Sequence, residues 1–177
     1  MAAVLNLDIP ALETVCAEAS TENEPVQVAN DNCPGQVVIS GSKAAVERAM
    51  AGAKAAGAKR AIPLAVSIAA HSKLMAAIQE EWNAAVDAAR ITDPKIEIVG
   101  NVTAGFLRSA TEIRTDIKSQ MQSRVRWTET IHLLTGKGVT TFVEAGAGNV
   151  LIGLIRRISP EATGYPLGNP TDFTAIE

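Results

Sequence analysis

Apolar and polar positions along the chain follow two periods, and each switch between them marks a new element. "MAAVLNL" is rich in strand formers and alternates, while "PALETVCAEA" after it has helical spacing, with Pro10 suited to a first turn. "VQVANDN" and "QVVISG" read as strands around the turn cluster "DNCPG". The run "SKAAVERAMAGAKAAG" opens on the capping residue Ser42 and closes at Gly57. Its Ala45, Met50 and Ala53 sit among small residues that let a helix lie close against a sheet. "AKRAIPLAV" returns to a strand pattern.

Residues 1–66 therefore run β-α-β-β-α-β, the ferredoxin-like order. From His71 the pattern changes. His71, Met75, Ile78, Trp82, Val86 and Ala89 share one helical stripe, which predicts a long helix ending before Asp93 and Pro94, with His71 near its N-terminus. "KIEIVGNV" reads as a buried strand, "EIRTDIKSQM" as a helix, and "WTETIHLLTGKG" as a helix stopped by glycine. "TTFVEAG" is a strand, "NVLIGLIRRI" a helix with basic residues near its C-terminal end, and "TGYPLG" a last strand. Alternating strands and helices imply an α/β arrangement with a parallel or mixed sheet. The strands of this half are too few for a doubly wound sheet of their own.

Composition narrows the function classes. Of 177 residues, 47% are apolar and 20% charged, and no apolar run reaches the ~18–20 residues that span a bilayer. The first ten residues lack the basic stretch of a secretory signal, so a cytoplasmic setting is expected. A net charge of −3 with 3% aromatic residues argues against nucleic acid. Cys16 and Cys33 have neither CxxC spacing nor nearby histidines, so no metal site or disulfide is expected, and Cys33 has no basic neighbour in sequence to lower its pKa.

His71 is the first candidate for chemistry. A helix N-terminus would keep its imidazole neutral and able to accept a proton, although a partly buried histidine capping the helix fits the same pattern. A base needs a nucleophile. Ser40 and Ser42 lack the GxSxG elbow, and Ser42 is explained as a cap. His132 lies off the Trp127, Ile131, Leu134 stripe and reads as a solvated helix residue. The glycines of "AGAGNVLIG" suit a strand-to-helix turn on geometry alone.

Five segments in order carry a resemblance: "VQVANDNCPGQVVISGSKAAVERA", "GAKRAIPLAVSIAAHSKLM", "VGNVTA", "VRWTETI" and "FVEAGAGNVLIGLIRRI". Together they resemble the malonyl-CoA:acyl-carrier-protein transacylases, across essentially the whole chain but only about the C-terminal three fifths of that family's catalytic domain. The resemblance implies an α/β-hydrolase-like core with a ferredoxin-like subdomain inserted. Residues 1–66 would be that subdomain and residues 67–177 the C-terminal part of the core. It further implies ping-pong transfer of malonyl from CoA, through a GHSxG serine, to the phosphopantetheine thiol of acyl carrier protein, in fatty acid biosynthesis. No bound cofactor, membrane or nucleic acid is implied.

Within this resemblance His71 matches the general base and acid. The backbone carbonyl that orients it maps to Arg126, just before Trp127. Asn30 and Asn32 match asparagines lining the cleft, and Ala70 stands where the neighbour of the histidine is associated with acyl selectivity. Three features depart from the pattern. No GHSxG serine occurs among the 177 residues, Ala147 replaces a proline between glycines, and Ala70 replaces a Ser or Phe. The isolated chain is accordingly expected to be inactive and marginally stable, a truncated acyltransferase. A non-catalytic module binding a ligand or carrier protein through residues 1–66 is the alternative.

Overall fold

The computed structural model describes residues 1–175. Its first six elements follow the order that the pattern predicts: β1 (Ala2–Leu5), α1 (Ile9–Ala19), β2 (Val26–Cys33), β3 (Gln36–Gly41), α2 (Lys43–Ala55) and β4 (Arg60–Pro63). The strands pair antiparallel in the order β4-β1-β3-β2. α1 and α2 cover one face, where Val4, Leu12, Val28, Ile39, Ala45 and Ala49 form a buried core. Both helix starts are capped, Asp8 accepting from the Ala11 N–H at 2.9 Å and Ser42 from the Ala45 N–H at 3.2 Å. β2 continues to Cys33, so Pro34 and Gly35 alone make the bend, with Gly35 at φ +75°.

A bulge in β2 matters for the site. Its register passes from Val28↔Ile39 to Asn30↔Val38, leaving Ala29 as an extra residue. Gln27 opposes Ser40 and Asn30 opposes Val38, so both project from the face turned away from α1 and α2. Without the extra residue, a polar pair three positions apart would lie on opposite faces.

The remaining elements are a 3-10 helix at Lys73–Ile78, α3 (Gln79–Ala88), β5 (Ile98–Val99), β6 (Phe106–Leu107), α4 (Ala110–Ser119), β7 (Val125–Arg126), α5 (Trp127–Gly136), β8 (Thr141–Ala145), α6 (Val150–Ile158), β9 (Thr163–Leu167) and a final 3-10 helix at Pro170–Ala175. β7 joins β2 in parallel through Asn30↔Val125 and Asp31↔Arg126, extending the first sheet to five strands. β8 and β9 form a parallel pair, and β5 and β6 an antiparallel one. A second buried cluster joins Cys33 to Ile131, Ile152 and Ile155, with Trp127 and Phe142 packed against it.

The structure corrects three expectations. The long helix from His71 is absent: a turn and a 3-10 helix precede α3, and Val86 is its only buried residue, because α3 packs chiefly on α4 and on the 3-10 helix before it. "KIEIVGNV" supplies only the two residues of β5, and Ile96 is 78% exposed, because β6 is its single partner. β4 stops at Pro63 opposite Ala2; one more bond, from the Leu64 N–H to the Met1 carbonyl at 3.0 Å, closes the pairing, and Val66 and Ile68 beyond it have no partner strand and are exposed.

Candidate functional site

His71 has φ +59° and occupies the turn ahead of the 3-10 helix rather than a helix N-terminus. Left-handed backbone costs a residue with a Cβ about 1–2 kcal/mol, so neighbours must hold it. Buried Ser72 donates its hydroxyl to the Ala69 carbonyl at 2.7 Å. The Gln27 amide nitrogen donates to the carbonyls of His71 and Gln122, both at 3.1 Å, while its oxygen accepts the Lys73 N–H at 3.1 Å.

The ring nitrogen Nδ1 of His71 lies 2.8 Å from the Gln120 carbonyl. A carbonyl offers only lone pairs, so Nδ1 carries the hydrogen, and in the neutral ring the free lone pair sits on Nε2. That is the tautomer a proton acceptor needs. The orienting carbonyl is therefore that of Gln120, not of Arg126 as expected. The turn between α4 and β7 brings the end of α4, rather than the residue before Trp127, against the ring.

The end of α4 explains why that carbonyl is available. The last carbonyls of a helix have no intrahelical partner. Side chains of α3 take two of them: Trp82 Nε1–H donates to the Ile117 carbonyl at 2.9 Å and Gln79 Nε2 to that of Lys118 at 2.8 Å. Gln122 Nε2 donates in turn to Gln79 Oε1 at 2.7 Å. The carbonyl of Gln120 receives His71.

Arg126 serves the neighbouring loop instead. Its N–H donates to the Asn101 carbonyl at 2.9 Å, and its guanidinium pairs with Glu129 and reaches the Thr103 carbonyl at 3.0 Å. Hydrogen bonding to Arg126 lowers the Glu129 carboxyl pKa, with nearby Arg124 adding to the effect and partial burial opposing it. Buried Asp116 closes the same loop, accepting from the N–H groups of Asn101, Val102 and Thr103 and from the Thr103 hydroxyl. Gly100 is required there, since a Cβ would lie 2.3 Å from Asp116 Oδ1.

Of the other expected site residues, Ala70 directly precedes His71 in its turn, and Asn30 and Asn32 are half-buried on β2. Gln27 and Gln120 are the two that sequence reasoning missed. Their partners lie 44 and 49 residues away, and nothing local marks them. His132 is exposed, as expected.

Both cysteines are free thiols and buried. Burial, with Glu13 nearby, pushes the Cys16 thiol up to about 12. Burial also raises Cys33, although Arg157, whose guanidinium reaches the Pro34 carbonyl, places beside it a positive charge that the local sequence does not show and that opposes the shift. At the glycine turn, Gly146 and Gly148 have φ +134° and +90°. The N–H groups of Leu151 and Ile152 are already taken by Glu144, which favours a structural turn over a phosphate cradle. Among the described residues no helix is long and apolar enough to cross a membrane, and no three His, Cys, Asp or Glu residues converge as for a metal ion.

Residues 1–162 match the acyl transferase domain family. The chain belongs to that family. It is 42% identical over 177 residues to the malonyl CoA-acyl carrier protein transacylase of Haemophilus influenzae, covering all of this chain and 56% of the relative. The corresponding Bacillus subtilis protein is 41% identical over 170 residues, covering 96% of this chain and 54% of the relative. Among solved structures, an acyl carrier protein S-malonyltransferase from Vibrio cholerae superposes with TM-score 0.95 at 36% identity, covering 99% of this chain and 57% of its own. A malonyl-transacylase in complex with a type II PKS acyl-carrier protein gives TM-score 0.94 at 36% identity, covering 98% of this chain and 56% of its own. The chain thus spans a little over half the length of these relatives, and its mixed α/β fold is theirs.

Proposed function

We propose that this chain is the histidine-bearing part of an acyl-carrier-protein S-malonyltransferase. The observation that carries the proposal is the His71 ring, held by Gln120 with its Nε2 lone pair free. In the proposed reaction Nε2 takes the proton of a GHSxG serine as that oxygen attacks the malonyl thioester carbonyl. The C–S bond breaks and the CoA thiolate recovers the proton from Nε2. The phosphopantetheine thiol of acyl carrier protein then gives its proton to Nε2 and attacks the acyl ester, and the serine oxygen leaves with that proton. No such serine is among these 177 residues, so they are proposed to be inactive alone. Asn30, Asn32 and Ala70 are proposed to border the acyl and pantetheine path, and Arg126 to fix the adjoining loop.

Residues 1–66 are proposed as a ferredoxin-like subdomain, supported by the strand order β4-β1-β3-β2, with residues 67–177 as part of a hydrolase-like core. A cytoplasmic role in fatty acid biosynthesis follows from the same reading. The test joins this chain to the portion of the Haemophilus influenzae relative that it does not cover and measures malonyl transfer from CoA to holo acyl carrier protein. Transfer is expected, with His71→Ala lowering it roughly 10²–10⁴-fold. Turnover by the 177 residues alone, or a joined protein indifferent to His71→Ala, would overturn the proposal.

A further inference from the structure

Gln27 touches each segment that builds the His71 site. It reaches the His71 carbonyl, the Lys73 N–H and the Gln122 carbonyl, using both N–H groups of its amide and one oxygen lone pair. One bond steadies the left-handed residue itself. Another reaches Gln122, in the same turn as the Gln120 carbonyl that meets Nδ1. A single side chain on a doubly paired strand therefore fixes the ring and its carbonyl partner relative to each other, and the β2 bulge leaves it on the same face as Asn30.

We infer that Gln27 is a positioning residue for His71, holding the turns at 69–73 and 119–123 at the spacing where Gln120 receives Nδ1–H and the lone pair stays on Nε2. This rests on the reading of His71 as the base. Glutamate at position 27 keeps the length and the acceptor for Lys73 but has no hydrogen to give either carbonyl; methionine removes all three bonds.

The test is nitrogen-resolved NMR of the neutral His71 ring in the 177-residue chain, native and with Gln27→Glu or Gln27→Met. The native ring is expected as the Nδ1–H tautomer, and either variant should raise the minor Nε2–H form roughly fivefold. In the native chain the protection of the Gln27 amide protons and of the ring Nδ1–H, each relative to its own free group, should also agree within about twofold, as one opening unit. Ring signals unchanged in both variants, or unrelated protection, would overturn the role of Gln27 alone. A native ring in the Nε2–H form would overturn the base assignment first, and the role of Gln27 with it.

Discussion

At φ +59°, His71 leaves the helical geometry that its stripe predicts, and its ring turns toward the end of α4. The sequence marks the histidine, since it stands alone between an apolar run and an amphipathic one, but a backbone angle set by partners 44 and 49 residues away is not legible locally. The same holds for Arg126, whose proximity to Trp127 in sequence hides its engagement with Glu129 and the 101–103 loop. Two expectations belong to single residues. Cys16 and Cys33 should resist iodoacetamide in the folded chain at pH 8 and react on denaturation, because burial disfavours both thiolates; mass spectrometry reads the adducts. Gly100→Ala should cost about 2 kcal/mol in denaturant unfolding, as its Cβ would press on the Asp116 carboxylate.

Elements of the first half were legible because each carries its own signal: Pro10 in the first turn of α1, Ser42 as a cap, Pro34 and Gly35 as the bend, small residues facing the sheet. In the second half β5 and β7 have two residues each, and pairing rather than composition defines them. α4 has a full capping box, with Ser109 and Glu112 bonding each other's backbone N–H. Ser109→Ala should destabilise that helix by about 1 kcal/mol and, because α4 ends at the Gln120 carbonyl, also broaden the His71 ring signals in NMR. The Arg126–Glu129 pair at the start of α5 gives a pH signature. The carboxyl pKa is lower in the folded chain than its ordinary 4.5, so its stabilisation is present above 4.5 and fades as pH falls through the folded value. Solvent screens a pair this exposed, so the effect is small. The melting-temperature difference between native and Glu129→Gln proteins should accordingly shrink between pH 6 and pH 3.

Across the whole molecule apolar burial is uneven. One core fills the space under α1 and α2, whereas Val143, Val150 and Leu151 around β8 stay exposed, as do Val66 and Ile68 after β4. A two-stranded parallel sheet such as β8 with β9 is uncommon in isolation, because parallel strands are ordinarily covered on both faces. Amide exchange should therefore be slowest in β1 and β3 and fastest in β8 and β9, and the 177-residue chain should bind an apolar dye; uniform protection without dye binding would contradict this reading. The separation of the site's parts in sequence also sets when they meet. During synthesis at ~5–20 residues per second, the 49 residues between His71 and Gln120 take roughly 2–10 s to be made. The β1–β4 strands can pair in that interval, leaving the histidine attached to a four-stranded sheet but without its carbonyl. The newborn chain thus has its first core before the ring of His71 has its partner.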